Sequence, residues 1–505
     1  MKVLKWILPS IALPITTLVN QSLATGIFPS NLKIAKIMPL QKQPNNCNID
    51  NFRPISLLPS ISKVIEKCVF DQVYEYFEKN KLLYDSQYGY RQSHSTETAC
   101  LEIIDRLHRQ LDQNKTPLCI FIDLSKAFDT LDHAILLSKL EYYGLQQNTL
   151  NWFRSYLFNR KQYVEIEGYK SDMRNVNTGV PQGSILGPLL FIIYMNDLNF
   201  VSKKFNAILF ADDTTLNSVL SVFTNNNNIT LSSKINNEIN KLNEWMKTNK
   251  LSLNIKKTKF MIFRYPQKPV SSLPKLDIKI EGKRIEQVDQ FKFLGITIHE
   301  TLTWKHHIDI IRVKISKVTG TMRRLKSYIN SKVLLSIYNT LILSHLHYGI
   351  LCWGFDGHKL FKMQKKSIRV VKKSKYNSHT DPIFKSLKLL KINDIFKTQC
   401  LKFLYRLKNG TVPSYFLHNF LPTSIGHNHN TRNRELLQPA RANKQTTKKS
   451  LRLYLPKLIN EIPGSITNKI YTHTVDSFKK GIKSYLIGKY SLQCTKPNCY
   501  SCLNN

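Results

Sequence analysis

The chain has 505 residues, 42% of them hydrophobic, with 74 lysines and arginines against 34 acids, a net charge of +40. Length and apolar content exclude a disordered chain and supply several cores. The positive excess favours a polyanion partner whose phosphate contacts weaken with salt. Residues 301–505 alone hold 37 basic and 7 acidic residues, so +30 of the charge lies there.

Residues 1–24 read as a helix. Lys2 and Lys5 before the apolar run Trp6 to Val19, and Ser22-Leu23-Ala24 after it, imitate a secretory signal. Pro9 and Pro14 interrupt that run, and Gly26-Ile27-Phe28-Pro29-Ser30 reads as its continuation into a module, so the signal is read as false and the protein as intracellular. Nine cysteines, six of them isolated, form no disulfide framework, which fits a reducing compartment. No run reaches the length of a membrane span.

Leu32 to Leu40 reads as a strand and 44–51 as a loop, followed by helices over Ser60 to Asn80 and Thr96 to Leu111 on their three-and-four spacing of apolar residues. Leu118 to Leu124 is a buried strand carrying Asp123 at its end. Helices over 132–143 and 148–157, a strand pair around 161–178, and the turn Gly179-Val180-Pro181-Gln182-Gly183-Ser184 lead to an apolar helix ending at Asp197. Then comes Ile208-Leu209-Phe210-Ala211-Asp212-Asp213-Thr214-Thr215-Leu216, two adjacent carboxylates inside an apolar strand, tight turn and strand. Burying such a pair is costly unless metal binds it, and Asp123, Asp212 and Asp213 together can hold two Mg²⁺ ions.

An asparagine-rich loop at 224–228 precedes an amphipathic helix marked by Ile235, Ile239, Leu242 and Trp245, and a loop at 264–274 precedes short strands that include Phe291 to Ile296. Beyond 300 the pattern is helical, with Ile308, Ile311, Ile315, Val318, Met322 and Leu325 as a core stripe, and 422–450 reads as a polar linker before a last helical segment.

Asp123 with Phe128 five residues on, then Pro181-Gln182-Gly183, then Phe210-Ala211-Asp212-Asp213, resemble in that order the reverse transcriptases of non-LTR retrotransposons. Phe52-Arg53-Pro54-Ile55-Ser56-Leu57-Leu58, Gln87-Tyr88-Gly89-Tyr90-Arg91, Leu253-Asn254-Ile255-Lys256-Lys257-Thr258 and Phe293-Leu294-Gly295 extend the resemblance. It divides the chain into an N-terminal helical extension (1–24), fingers and palm (25–300), a helical thumb (301–375) carrying Leu302-Thr303-Trp304 and His345-Leu346-His347-Tyr348-Gly349, and a basic C-terminal region with a cysteine-rich tail (376–505). The implied fold is α+β, a right-hand polymerase with palm carboxylates on an antiparallel sheet and helical fingers and thumb. The implied activity is RNA-templated DNA synthesis from dNTPs, with an RNA template and a DNA primer or target as partners and the nucleus as location.

The resemblance also implies roles. Asp123 and Asp212 bridge two Mg²⁺ ions, with Asp213 as the third carboxylate. Phe128 stands under the sugar ring, where it collides with a 2′-hydroxyl. Gln182 contacts the incoming nucleotide, Gly179 and Gly183 letting backbone approach the substrate. Arg53 and Arg91 neutralise the triphosphate, and Lys257 protonates the departing pyrophosphate. Asp129 and His133 read as structural, Asp129 as an acid favoured by a helix N-terminus. Adjacent His306 and His307 diverge on a helix and are poor joint ligands.

Cys494, Cys499 and Cys502 have spacings that suit a zinc knuckle without a nearby fourth ligand, free thiols being the alternative. Lys362, Lys365, Lys366, Arg369, Lys372, Lys373 and Lys375 suit a nucleic-acid-facing helix, a nuclear-import signal or a solvated face. Many members of the resembled group carry an endonuclease ahead of the polymerase. Nothing before residue 25 holds one, so the chain is expected to lack target cleavage. A second reading is a catalytically inactive retroelement remnant that only binds nucleic acid, which the intact acidic trio opposes. A group II intron maturase or telomerase-like protein would carry insertions of its own, and none is recognised.

Overall fold

A computed structural model describes residues 2–44, 46, 48–223, 228–420, 449–467, 470 and 473–491. The helix Lys2–Thr25 (α1) passes through Pro9 and Pro14 rather than stopping at them. Both prolines are exposed, so water can satisfy the carbonyls whose helical partners they remove. The end of α1 is anchored where the Ser22 hydroxyl accepts from the Trp152 indole at 3.0 Å.

Ile34–Gln41 (β1) pairs antiparallel with Phe52–Leu57 (β2), and Ser60–Lys79 (α2) and Thr96–Asp112 (α3) follow. Ser95 caps α3 in a reciprocal capping box with Thr98. Pro117–Ile122 (β3) comes next, and after Asp123 the short Leu124–Ser125 (β4). His133–Tyr142 (α4) and Gln147–Leu157 (α5) lead to Arg160–Ile166 (β5), which lies parallel to β1. The expected strand pair is three strands, because a tight turn at Glu167 and Gly168, both at positive φ, starts Tyr169–Lys170 (β6) before Arg174–Val176 (β7) returns to β5. Leu186–Tyr194 (α6) ends three residues before Asp197.

The palm sheet is built from Asn206–Phe210 (β8), Asp213–Val219 (β9), β3, Lys259–Ile262 (β11) and Glu286–Gln287 (β14), in the order β14-β11-β3-β9-β8. Asn228–Thr248 (α7) and Ser252–Leu253 (β10), the latter paired with β4, connect its halves. Lys279–Ile280 (β12) and Lys283–Arg284 (β13) form one hairpin, and Gln290–Phe293 (β15) and Ile296–His299 (β16) another.

Alternation along the palm strands divides the interior in two. Cys119 and Phe121 of β3 enter one cluster with Ile208, Met261 and α3, while Leu118, Ile120 and Ile122 enter another with Leu209, Phe260, Ile262 and α6. A strand buried on both faces reads as a continuous apolar run, which is why Pro117–Ile122 carries no polar residue.

Lys305–Leu325 (α8) buries Ile308, Ile311, Ile315 and Met322 of the expected stripe, while Leu325 is exposed. Phe361–Val371 (α9) buries Ile368 and Val371 and exposes Lys362, while Lys365 and Lys366 are half-buried. Ile392–Lys408 (α10), Ser414–Phe420 (α11), Leu451–Glu461 (α12) and Val475–Gly488 (α13) follow. These helices share one hydrophobic cluster with α3 and the outer face of the palm, so packing runs unbroken through residue 375. The proposed linker at 422–450 lies almost wholly outside the described residues, as do residues 224–227 of the loop expected at 224–228, whose last residue, Asn228, begins α7.

One buried contact ties the C-terminal helices to the palm. The Asp105 carboxylate of α3 receives the Tyr415 hydroxyl at 2.7 Å and the Arg452 guanidinium at 3.1 Å. Burial pushes Asp105 upward, opposed by Arg452 and the Tyr415 hydrogen bond. Arg452→Ala leaves that carboxylate without its ion partner and should lower unfolding free energy by about 3 kcal/mol. Denaturant unfolding of the purified chain checks this, and unchanged stability would contradict the coupling.

Candidate active site

Two strand ends bring the acids together. Register pairs Ile122 with Thr214, so Asp123, the next residue after β3, lies beside Asp213 at the start of β9. Phe210 pairs with Asp213 across the hairpin, leaving Ala211 and Asp212 as its turn. The Asp123 backbone is held by Thr258 and by Asn254, whose amide donates to the Asp123 carbonyl at 2.8 Å.

The turn is buttressed by a segment far away in sequence. Tyr88 donates to the Leu209 carbonyl at 2.7 Å, Leu209 donates to the Ser86 carbonyl at 2.9 Å, and the Gln87 side-chain oxygen accepts from Ala211 at 3.2 Å. That last bond steadies Ala211 at φ +56°, a conformation that costs a residue with a Cβ about 1 kcal/mol. Gly89 packs so tightly here that a Cβ would lie 2.4 Å from the Ala211 nitrogen. The buried Glu102 carboxylate anchors the segment by receiving Tyr88, Ser86 and Arg106.

Electrostatics couple the three acids. Burial raises Asp212, its own backbone hydrogen bond opposes that, Asp123 raises it further and Arg53 pulls it back. Asp213 is pushed to about 6 by burial, then by Asp212 and by Asp123. Lys257, largely exposed, places Nζ 3.8 Å from an Asp123 carboxylate oxygen. Among the described residues no three His, Cys, Asp or Glu side chains close tightly enough to enclose an ion. The donors nevertheless fit magnesium in chemistry, being hard oxygens whose mutual repulsion a divalent cation would relieve. Cys494, Cys499 and Cys502 lie outside the described residues.

Phe128 is half-buried, its ring stacked on Phe191 at 4.4 Å and met edge-on by Tyr90 at 6.3 Å. Gln182 sits in the turn before α6, whose first amides are capped by Glu66: its carboxylate accepts from Ile185 at 2.7 Å and Leu186 at 3.3 Å. The glycines of that turn serve a different contact from the one expected. A Cβ on Gly179 (φ +78°) would lie 2.7 Å from the Asp129 carbonyl oxygen, and one on Gly183 (φ +135°) 2.5 Å from that of Ser56. Both therefore let the turn press against protein backbone.

Arg91 is a second correction. Its guanidinium binds both oxygens of Glu78 at 2.9 Å and the Tyr84 carbonyl at 2.8 Å, and its side chain is only 8% exposed. It is committed to a fork-to-fork pair rather than offered to phosphates. Its neighbour Tyr90 faces the acids instead, with burial and then the Asp212 charge raising its hydroxyl. Asp129 is the third correction. Asp132 caps α4, accepting from Ile135 at 3.0 Å, whereas Asp129 receives the Gln182 side-chain amide at 2.8 Å. His133 is structural as expected, hydrogen-bonded to the Gly179 carbonyl at 2.8 Å. His306 and His307 diverge, His306 stacking on His299 and His307 lying buried beside Trp353.

Residues 40–298, which contain Arg53, Arg91, Asp123, Phe128, Gln182, Asp212, Asp213 and Lys257, match the family model for reverse transcriptase (RNA-dependent DNA polymerase). The chain belongs to this reverse transcriptase family. It is similar to the RNA-directed DNA polymerase from mobile element jockey of Drosophila melanogaster, 26% identical over 420 residues that cover 79% of this chain and 44% of that protein. It is also similar to the probable RNA-directed DNA polymerase from transposon BS of the same organism, 26% identical over 415 residues, 77% of this chain and 44% of that protein. The chain thus spans less than half the length of these relatives. Among solved structures, apo telomerase from Candida Tropicalis aligns over 81% of this chain and 72% of its own at 14% identity and a TM-score of 0.41. No helix among the described residues is long and apolar enough to cross a membrane.

The raised Asp213 gives a pH-dependent test. A carboxyl whose folded value is about 6, against about 4 unfolded, contributes stability that is complete below pH 4 and lost as pH rises through 6. Asp213→Asn lacks this loss, so it should exceed the natural chain in stability at pH 7.5 by about 1 kcal/mol, a figure discounted for solvent screening. The gap should narrow toward pH 4 and on addition of Mg²⁺ at neutral pH. Thermal melts across pH measure it, and parallel curves for both proteins would contradict the coupling.

Proposed function

We propose that the chain is the RNA-directed DNA polymerase of a non-LTR retroelement, extending a primer 3′-hydroxyl with dNTPs on an RNA template. The observation that carries this is the meeting of Asp123, Asp212 and Asp213 at one end of the palm sheet, where the Asp123 charge raises Asp212 and the charges of both raise Asp213. Two divalent ions held by these acids would stabilise the attacking 3′-oxygen and the leaving pyrophosphate.

The remaining steps belong to side chains. Arg53, exposed on β2 and close enough for its charge to act on Asp212, is placed to offset triphosphate charge. Lys257, beside Asp123, is the acid that hands a proton to pyrophosphate. Phe128, fixed between Phe191 and Tyr90, is the wall that a ribonucleotide 2′-hydroxyl would strike. Polymerisation here is chiefly positioning and charge stabilisation, so these groups need to be rigid more than reactive.

The cationic excess supports nucleic-acid binding that is separable from chemistry. Asp212→Asn should reduce single-nucleotide incorporation by at least about a thousandfold, the scale set by losing one preorganised charge contact. Its RNA affinity, measured by filter binding at fixed salt, should stay within about threefold of the natural chain, since phosphate contacts carry it. Incorporation at the natural rate by this variant would remove Asp212 from the mechanism.

A further inference from the structure

Tyr90 is an exposed aromatic residue that the chain holds in an unfavourable conformation. Its side chain is 50% exposed, so burial does not drive its placement, and its backbone lies at φ +56°, a left-handed region that residues with a Cβ seldom occupy. Both neighbours are anchored. Gln87 Oε1 accepts from the amides of Gly89 at 2.9 Å and Ala211 at 3.2 Å, which seats Gly89 on the turn that carries Asp212. On the other side Arg91 is forked onto Glu78 and bonded to the Tyr84 carbonyl. A strained backbone kept between two anchored residues, with an exposed ring as its outcome, points to work done by the ring.

The ring meets Phe128, with centroids 6.3 Å apart and planes at 89°. Phe128 is the wall placed against the 2′ position of the sugar, and a wall excludes a 2′-hydroxyl only so far as it cannot recede. Its main chain is fixed, since Val180 donates to the Phe128 carbonyl at 3.0 Å and Ala127 before it is buried. Its side chain is stacked at 4.4 Å and 23° on Phe191, which is wholly buried in α6 and blocks retreat into the interior. The Phe128 ring is only half-buried, so rotation toward solvent is the way left for it to yield. Tyr90, itself half in solvent, is the second ring against it.

We propose that Tyr90 is a positioning residue for sugar selection: its ring braces Phe128 from the solvent side, so that the wall cannot rotate away from a ribonucleotide 2′-hydroxyl. The assignment rests on the polymerase reading given above and deepens it. Sugar discrimination then belongs to two rings brought from segments 38 residues apart in sequence, positions 90 and 128, rather than to Phe128 alone. The brace is the ring, so the phenol hydroxyl is dispensable for it.

The test compares kcat/KM for a dNTP and its matching rNTP, with the full chain on a primed RNA template. The natural chain should prefer the dNTP, and Tyr90→Ala should cut that preference by about fivefold to tenfold, the scale of one aromatic pair. Tyr90→Phe, which keeps the ring, should retain the preference. Phe128→Ala sets the floor, and adding Tyr90→Ala to it should change the ratio by less than about twofold, because no wall remains to brace. The ratio is taken within each protein, so a smaller folded fraction leaves it unaltered, and Tyr90→Leu should show the same loss if the alanine variant does not fold. A Tyr90 that serves only folding or the acids would lower both rates together and leave the ratio intact, which overturns the proposal. Loss of the preference in Tyr90→Phe would assign the effect to the hydroxyl and overturns it too. A natural chain that extends no primer overturns the polymerase reading and this assignment with it, whereas extension with a ratio unchanged by Tyr90→Ala overturns only the assignment.

Discussion

The arrangement depends on holding three mutually repelling carboxylates at one end of a buried sheet. Burial and neighbouring acids disfavour the charge on Asp212 and Asp213, yet among the described residues no arginine or lysine forms an ion pair with these two hairpin acids, and Lys257 reaches only to 3.8 Å from Asp123. Such a cluster is costly, and the surrounding structure is what makes it persist. The sheet is sealed on both faces by separate apolar clusters, so the strand ends cannot drift apart. Gln87 and Gly89 fix the turn that carries Asp212, through a hydrogen bond and a contact that leaves no room for a Cβ.

The acids were legible because strand chemistry is local. An all-apolar run ending in Asp123, and adjacent acids between two apolar strands, both announce carboxylates at sheet ends, and the antiparallel register turns that into a shared site. Arg91 is illegible for the opposite reason. Its partner Glu78 lies thirteen residues upstream on another element, and no periodicity links them. Tyr90, one residue earlier, takes the place beside Asp212 because it sits at φ +56° in the loop after the buttress. Positive φ leaves little trace in sequence when the residue is not glycine. Gly179 and Gly183 are legible as sites of close approach, but whether the neighbour is substrate or protein is set by the distant backbone of Asp129 and Ser56. Asp129 looked like a helix acid, and only the three-dimensional closure of the 178–183 turn reveals its bond to Gln182.

The division of the C-terminal half shows the same limit. Composition changes near 375, and a basic tail reads naturally as a separate region. The core does not change there: α10, α12 and α13 bury Leu401, Leu455 and Ile482 in the cluster that also holds Phe121 beneath the site. The Asp105, Tyr415 and Arg452 contact reinforces that continuity. Charge pattern reports solvent-facing chemistry, whereas apolar side chains decide which helices fold together. The positive field is therefore carried on helices packed in one hydrophobic cluster with the palm sheet.

The most direct measurement is run-off synthesis by the purified chain on a primed heteropolymeric RNA template with Mg²⁺ and all four dNTPs. The account predicts complementary DNA reaching the template end, and none without the divalent ion. Soluble protein that binds the same RNA yet adds no nucleotide would contradict it, and would leave the acidic cluster as the remnant of a site rather than a working one.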